Sequence, residues 1–255
     1  MEEVSFRNAR GKRLAGSLFP AGNDLIVVMA HGFASNRDSR GRFPTAAGAL
    51  NAAGISALTF DFCGCGESDD DTLSIAKHVG DLHSAIAFVR SSGYRRVALW
   101  GHSLGGLICL QGHPPGIAAM ILTGTPTGPV TYNWSEFFST SQCEELARTG
   151  ILTADGGGRP GRVVIERGLL DHFSLLDQGA LLRPIACPVL LIHGDGDEEE
   201  RMLLTLSRTA INQLPVGSRL EVVPGAGHSL LKSFDSVVSS AIAWLLEITG
   251  SKNSP

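Results

Sequence analysis

Apolar runs of strand length recur along the chain: Leu25-Ile26-Val27-Val28-Met29, Ser56-Ala57-Leu58-Thr59-Phe60, Val97-Ala98-Leu99-Trp100, Ala119-Met120-Ile121-Leu122, Val189-Leu190-Leu191-Ile192 and Leu220-Glu221-Val222-Val223. Most do not alternate apolar with polar. A strand with one wet face must alternate, so these runs predict strands covered on both faces, as in a parallel sheet flanked by helices. The segments between them supply the helices. Ile75, Val79, Leu82, Ile86 and Val89 step by four and three residues, an amphipathic stripe, and Val238, Ala241, Ile242 and Leu245 form another that Gly250 is placed to stop. Val4 to Phe19 reads as two short strands around Ala9-Arg10-Gly11, an antiparallel hairpin at the sheet edge. The expected fold is α/β, a mostly parallel, doubly wound sheet with an N-terminal hairpin.

The 255 residues are within reach of one large domain, 1–255. From about 128 to 183 the rhythm breaks. No clear strand run appears there, and the interval holds Trp134, Phe137, Phe138 and the loop Asp155-Gly156-Gly157-Gly158-Arg159-Pro160-Gly161. It reads as a short inserted cap over the carboxyl edge of the sheet. With 43% hydrophobic and 18% charged residues the chain is an ordinary globular one. A net charge of −4 without any long basic run argues against a nucleic-acid partner. The polar N-terminus lacks an apolar export segment and no run is long enough to span a bilayer, so no membrane association is expected. Five cysteines, an odd number without disulfide-framework density, point to reduced thiols and a cytoplasmic location.

In open α/β sheets ligands bind just outside the carboxyl ends of the strands. Polar residues stand there at His31-Gly32-Phe33, at Ser103 in Gly101-His102-Ser103-Leu104-Gly105, at Asp195 and Asp197, and at His228. G-x-S-x-G between a strand and a helix is the spacing of a nucleophile elbow, whose glycines leave room for a sharp turn. A serine hydroxyl needs a base within hydrogen-bond reach, and that base needs a carboxylate to fix its tautomer and stabilise its cation. Ser103, Asp197 and His228 are the expected catalytic set. Asp195 is the other candidate acid, with Asp197 favoured by its greater reach and Asp195 expected to hold the turn through backbone N–H groups. The backbone N–H groups of Leu104, at a helix start, and of Phe33 are the expected oxyanion hole.

HGF at 31–33, FDFCGCGESD at 60–69, GHSLGG at 101–106, LLIHGDGD at 190–197 and PGAGH at 224–228 together resemble the α/β-hydrolases over nearly the whole chain, in that family's order Ser, Asp, His. Within it the chain is most similar to small serine esterases of the cinnamoyl/feruloyl type. These share the His31-to-Asn36 opening and a cap between the family's sixth and seventh strands. The resemblance implies hydrolysis of carboxylic esters without metal or organic cofactor, on a small-molecule ester, by a monomer or homodimer. It supports Asp197 through the family's G-x-x-D spacing. Glu198-Glu199-Glu200 departs from the family pattern and reads as a solvated loop.

The remaining features have plainer readings. His31 is expected as a structural hydrogen-bond donor, and His102 as packing or lining. Cys63-Gly64-Cys65 has no partner motif and reads as a glycine turn rather than a metal or redox pair. Gly156-Gly157-Gly158 lacks the Gly-Lys-Ser/Thr ending of a phosphate loop. Trp134, Phe137 and Phe138 are candidate substrate-binding residues that serve equally as cap core. Thioester or acyl-peptide hydrolysis uses the same machinery, and a ligand receptor that lost turnover is the alternative from another class.

Overall fold

The computed structural model describes residues 1–156 and 162–250; the Gly157-to-Gly161 part of the glycine-rich loop lies outside them. Along the chain the elements are β1 (Glu2–Arg7), β2 (Arg13–Phe19), β3 (Leu25–Ala30), α1 (Arg42–Ala52), β4 (Ser56–Phe60), β5 (Thr72–Leu73), α2 (Ile75–Ser91), β6 (Arg96–His102), α3 (Leu104–Gly112) and β7 (Ile117–Thr123). They continue with α4 (Thr140–Thr149), β8 (Ile151–Asp155), β9 (Arg162–Glu166), α5 (Arg167–His172), α6 (Gln178–Leu182), β10 (Val189–Gly194), α7 (Glu198–Ala210), β11 (Arg219–Val223) and α8 (Phe234–Thr249).

Eight strands form the main sheet in the order β1-β2-β4-β3-β6-β7-β10-β11. From β4 to β11 every pairing is parallel, and the β1–β2 hairpin joins antiparallel to β4. Each apolar run is a strand because its two faces feed two different cores. In β3, Ile26 and Val28 pack with α2, α3 and cap residues, whereas Leu25, Val27 and Met29 pack with α1 and α8 residues such as Phe43, Leu50, Val238 and Trp244. In β6, Leu99 faces the first core and Ala98 and Trp100 the second. Gly250 ends α8 in a left-handed conformation, φ 63°.

The interval 128–183 contains strands that the sequence reading did not expect. β8 and β9 form an antiparallel hairpin, and β9 pairs in parallel with the two-residue β5 to make a separate three-stranded sheet. Lys77 on α2 reinforces this attachment by an ion pair with Glu166, 2.8 Å. A Ser139–Gln142 capping box starts α4. Strands of five residues with short alternation carry too little pattern to stand out.

Leu99 is fully buried in the central strand. Leu99→Ala is expected to cost about 2–5 kcal/mol through lost burial and a residual cavity, read as a lower urea midpoint at unchanged slope.

Candidate active site

Ser103 follows β6 with φ 54° and ψ −122°, a conformation that L-residues rarely adopt and that costs about 1–3 kcal/mol. The surroundings hold it there. Its N–H donates to Thr123 O on β7 at 2.9 Å, and its own carbonyl accepts from Gly106 and Leu107 as α3 begins. The tight approach of α3 to β3 demands Gly105, where a Cβ would collide with the Ala30 carbonyl. Leu104 is the first residue of α3, so its N–H has no carbonyl four residues back to accept it. A Cβ on Gly32 would rest 3.5 Å from Ser103 Cβ, which puts the Gly32-Phe33 turn directly against the elbow.

His228 lies in the loop after β11, and its Nε2 is 3.0 Å from Ser103 Oγ. The other ring nitrogen pairs with a carboxylate, but not with that of Asp197. His228 Nδ1 is 2.6 Å from Glu200 Oε1. A carboxylate can only accept, so Nδ1 carries the proton and Nε2 is left to accept from Ser103. Asp197 is the N-cap of α7. Its Oδ1 accepts the Glu200 N–H at 2.8 Å and its Oδ2 the His228 backbone N–H at 2.7 Å, so both oxygens serve the main chain. Asp195 accepts the Gly225 N–H at 2.6 Å, the turn-holding role expected of it.

The segment read as a solvated loop is thus the first turn of α7. Glu200, Leu203, Leu204, Ser207 and Ala210 are its buried residues, at helical spacing, and Glu200 is wholly buried. Two clues were present in the sequence: Asp-x-x-Glu is a helix-start pattern, and Glu200 falls in register with the apolar stripe behind it. Glu200 Oε2 accepts from the Gly194 N–H at 2.7 Å and from His193 Nδ1 at 3.2 Å. His193 Nε2 meets Ser207 Oγ at 2.8 Å, and Ser207 meets Thr127 at 3.2 Å.

These contacts set the ionisation. Burial pushes the Glu200 carboxyl up, but hydrogen bonds and charge from His193 and His228 outweigh it and bring it to about 2. Burial depresses the His228 ring, and the Glu200 hydrogen bond with the charges of Glu199, Glu200 and Asp197 more than reverses this, leaving it above 6.5. His102 moves the other way. Burial, Arg42 and His228 hold it well below 6.5. Its Nε2 accepts from Arg42 Nη1 at 2.7 Å, so Nδ1 carries the hydrogen shared with Thr123 Oγ1 at 3.2 Å. His31 is structural, its Nδ1 on Gly32 O at 2.9 Å and its Nε2 accepting the Phe62 N–H at 3.2 Å.

Ser103 and His228 open into a cleft of about 680 Å³. Phe33, Tyr132, Trp134, Phe137 and Phe173 make its aromatic wall. Trp134 and Phe137 therefore line the cleft as the sequence reading allowed. Phe138 does not, and instead packs on the core with its ring stacked 6.0 Å from Trp134. Tyr132 and Phe173 were missed, being isolated aromatics outside the 134–138 cluster. Tyr132 O–H donates to Glu199 at 3.0 Å, and Glu199 lies 3.8 Å from His228 Nε2. A larger groove of about 870 Å³, near Gln111, His172 and Cys187, contains neither Ser103 nor His228. Among the described residues no group of three His, Cys, Asp or Glu side chains is gathered as a metal would need, and no helix is long and apolar enough to cross a membrane. The described cysteines are all free, and Cys63-Gly64-Cys65 forms a turn with Gly64 at φ 83°.

The model of the alpha/beta hydrolase family matches residues 27–239. The chain belongs to the alpha/beta hydrolase family. An uncharacterized protein of Mycobacterium tuberculosis is 27% identical over 89% of this chain and 72% of its own length. A thiohydrolase of Arthrinium phaeospermum is 30% identical over 52% of this chain and 45% of its own. Among solved structures, that of ferulic acid bound to Est1E from Butyrivibrio proteoclasticus superposes with a TM-score of 0.74 at 19% identity, covering 97% of this chain and all of the other. This α/β-hydrolase thus has the mostly parallel sheet and N-terminal hairpin expected of its sequence.

Because Asp197 caps α7 and also holds the His228 main chain, Asp197→Ala is expected to destabilise the protein by about 1–2 kcal/mol. Thermal unfolding should show a lowered Tm.

Proposed function

We propose that the protein is a serine hydrolase of carboxylic esters, with Ser103 as nucleophile, His228 as base and Glu200 as the acid that orients His228. The observation that carries this reading is the continuous Ser103–His228–Glu200 hydrogen-bond chain, closed at both links, at the carboxyl edge of the sheet. Ser103 Oγ attacks the ester carbonyl as its proton passes to His228 Nε2, and the Glu200 carboxylate stabilises the imidazolium. The tetrahedral oxyanion is held by the Phe33 and Leu104 N–H groups, each worth about 3–4 kcal/mol at the transition state. His228 then returns the proton to the leaving alcohol. Water, deprotonated in turn by His228, releases the acid from the acyl-serine. The aromatic wall offers an apolar site for one side of the substrate, in keeping with the ferulic acid that Est1E holds. The fungal thiohydrolase likeness supports thioesters as a second substrate class for the same acyl-enzyme chemistry. The complete hydrogen-bond chain favours turnover over a receptor role.

A fluorophosphonate probe is expected to label Ser103. Ser103→Ala should stay folded, lose labelling and lower kcat on p-nitrophenyl butyrate by up to about 10⁶-fold. Retention of more than a few per cent of activity would remove Ser103 from the mechanism.

Glu200→Gln keeps the shape but no longer fixes the Nδ1–H tautomer, and kcat should fall about 10⁴-fold. The base works only when neutral, so activity rises with pH through the raised His228 value, above 6.5. Losing Glu200 removes a main cause of that rise while burial still depresses the ring, so the acid limb of kcat/KM should move to lower pH. Asp197→Asn should lose far less activity than Glu200→Gln; the opposite ranking in folded protein would return the acid role to Asp197.

A further inference from the structure

Two arginines face the cleft and have no part in the reaction above. Arg42, the first residue of α1, is only 6% exposed and lines the cleft. Its Nε donates to Ser39 O at 2.7 Å, and its Nη1 to Ser229 O at 2.9 Å and His102 Nε2 at 2.7 Å. A guanidinium has five N–H groups, and these contacts use three. Among the described residues Nη2 meets no protein acceptor and Arg42 forms no ion pair.

Such a charge is expensive to bury. Charged side chains in protein interiors are paired, because an isolated one loses its hydration without return. Burial and nearby Arg40 accordingly bring the Arg42 guanidinium down to about 10. Arg40, exposed at the rim, also lines the cleft and has no ion pair among the described residues. Ser39, Arg40 and Gly41 are consecutively left-handed, φ 49°, 59° and 80°, and this loop presents both arginines to the cleft.

Among the described residues none of the carboxylates lining the cleft forms an ion pair with them. Asp38 accepts the Gly41 N–H at 2.7 Å, Asp197 serves the main-chain amides of Glu200 and His228, and Glu199 accepts from Tyr132. Each of these acids is hydrogen-bonded to another donor, and neither arginine is hydrogen-bonded to a carboxylate.

We propose that Arg42, assisted by Arg40, is an anion subsite, and that the preferred substrates are esters or thioesters carrying a carboxylate close to the scissile carbonyl. This rests on the ester-hydrolase reading. Arg42 holds His102, just before the nucleophile, and Ser229, just after the base, so an anion seated on it lies within a few bonds of the reacting carbon. Glu199, which accepts from Tyr132 on the same cleft wall, carries the opposite sign to the arginines and disfavours an anion beside it. The apolar remainder then meets the aromatic wall.

Two substrate pairs test the subsite and tell which side carries the charge: monoethyl adipate against ethyl hexanoate for the acyl side, and the butyrate ester of glycolate against propyl butyrate for the alcohol side. In one pair the charged ester should have the higher kcat/KM by about tenfold or more at low salt, as one charge-assisted hydrogen bond would give. That ratio should fall towards unity in both Arg42→Gln and Arg40→Gln. A wild-type enzyme that favours the neutral ester in both pairs, or a ratio unmoved by both substitutions, overturns the subsite. Calorimetric titration of Ser103→Ala with adipate reads the subsite without turnover. Millimolar or tighter binding that Arg42→Gln abolishes supports it even if no ester is cleaved, in which case only the hydrolase reading falls. Absence of binding there overturns the subsite itself.

Discussion

The buried Glu200 carboxylate is the interaction on which the site depends. An ionised carboxylate without water is costly unless donors replace its hydration. Here three do: the His228 ring, the His193 ring and the Gly194 amide. They come from two parts of the fold, the loop after β11 and the last two residues of β10. Satisfying one charge therefore fixes the depth of α7 against β10, the height of the His228 loop and the tautomer of the His228 ring at once. Asp197 complements it by capping the same helix and tying its start to the His228 backbone. Two carboxylates three residues apart thus have separate tasks, one holding the main chain and the other the imidazole.

Most of the sheet was legible because its strands are buried on both faces. Periodicity alone does not separate such runs from buried helix segments, but they are too short for helices and are bounded by turn residues. The cap was harder to read. β8 and β9 bury Leu152 and Ile165 against the core, but each is five residues long, and their partner β5 contributes two. Their existence depends on pairing with segments distant in sequence, which no local pattern records.

At the site, Ser103 and His228 were legible since strained turns demand glycines at fixed offsets, and those survive as spelling in the sequence. The carboxylate that pairs with the His228 ring was misread for a related reason. The G-x-x-D spacing locates a carboxylate after β10, yet a carboxylate in that place can turn to a helix end as readily as to a histidine. Helix periodicity from Glu200 through Leu203, Leu204 and Ser207 decided between them, and that period is visible only once Glu198 to Glu200 is read as helix rather than loop. Arg42 was invisible for a different reason. A lone arginine beside Arg40 and near Phe43 has the appearance of a solvated helix start, and only three-dimensional packing shows it buried.

The two histidines beside Ser103 show how charge placement assigns function. Their ring centroids are 5.3 Å apart. Glutamates surround His228 and raise its proton affinity, whereas Arg42 donates to His102 Nε2 and, with burial, lowers it. The result is a pair of titratable groups pushed in opposite directions, the pattern by which one fold separates an acid–base residue from a neutral neighbour. Both His102 nitrogens are engaged, Nε2 by an Arg42 hydrogen and Nδ1 with Thr123 Oγ1. Burial and Arg42 thus keep His102 neutral beside a His228 ring whose Nε2 faces Ser103 Oγ.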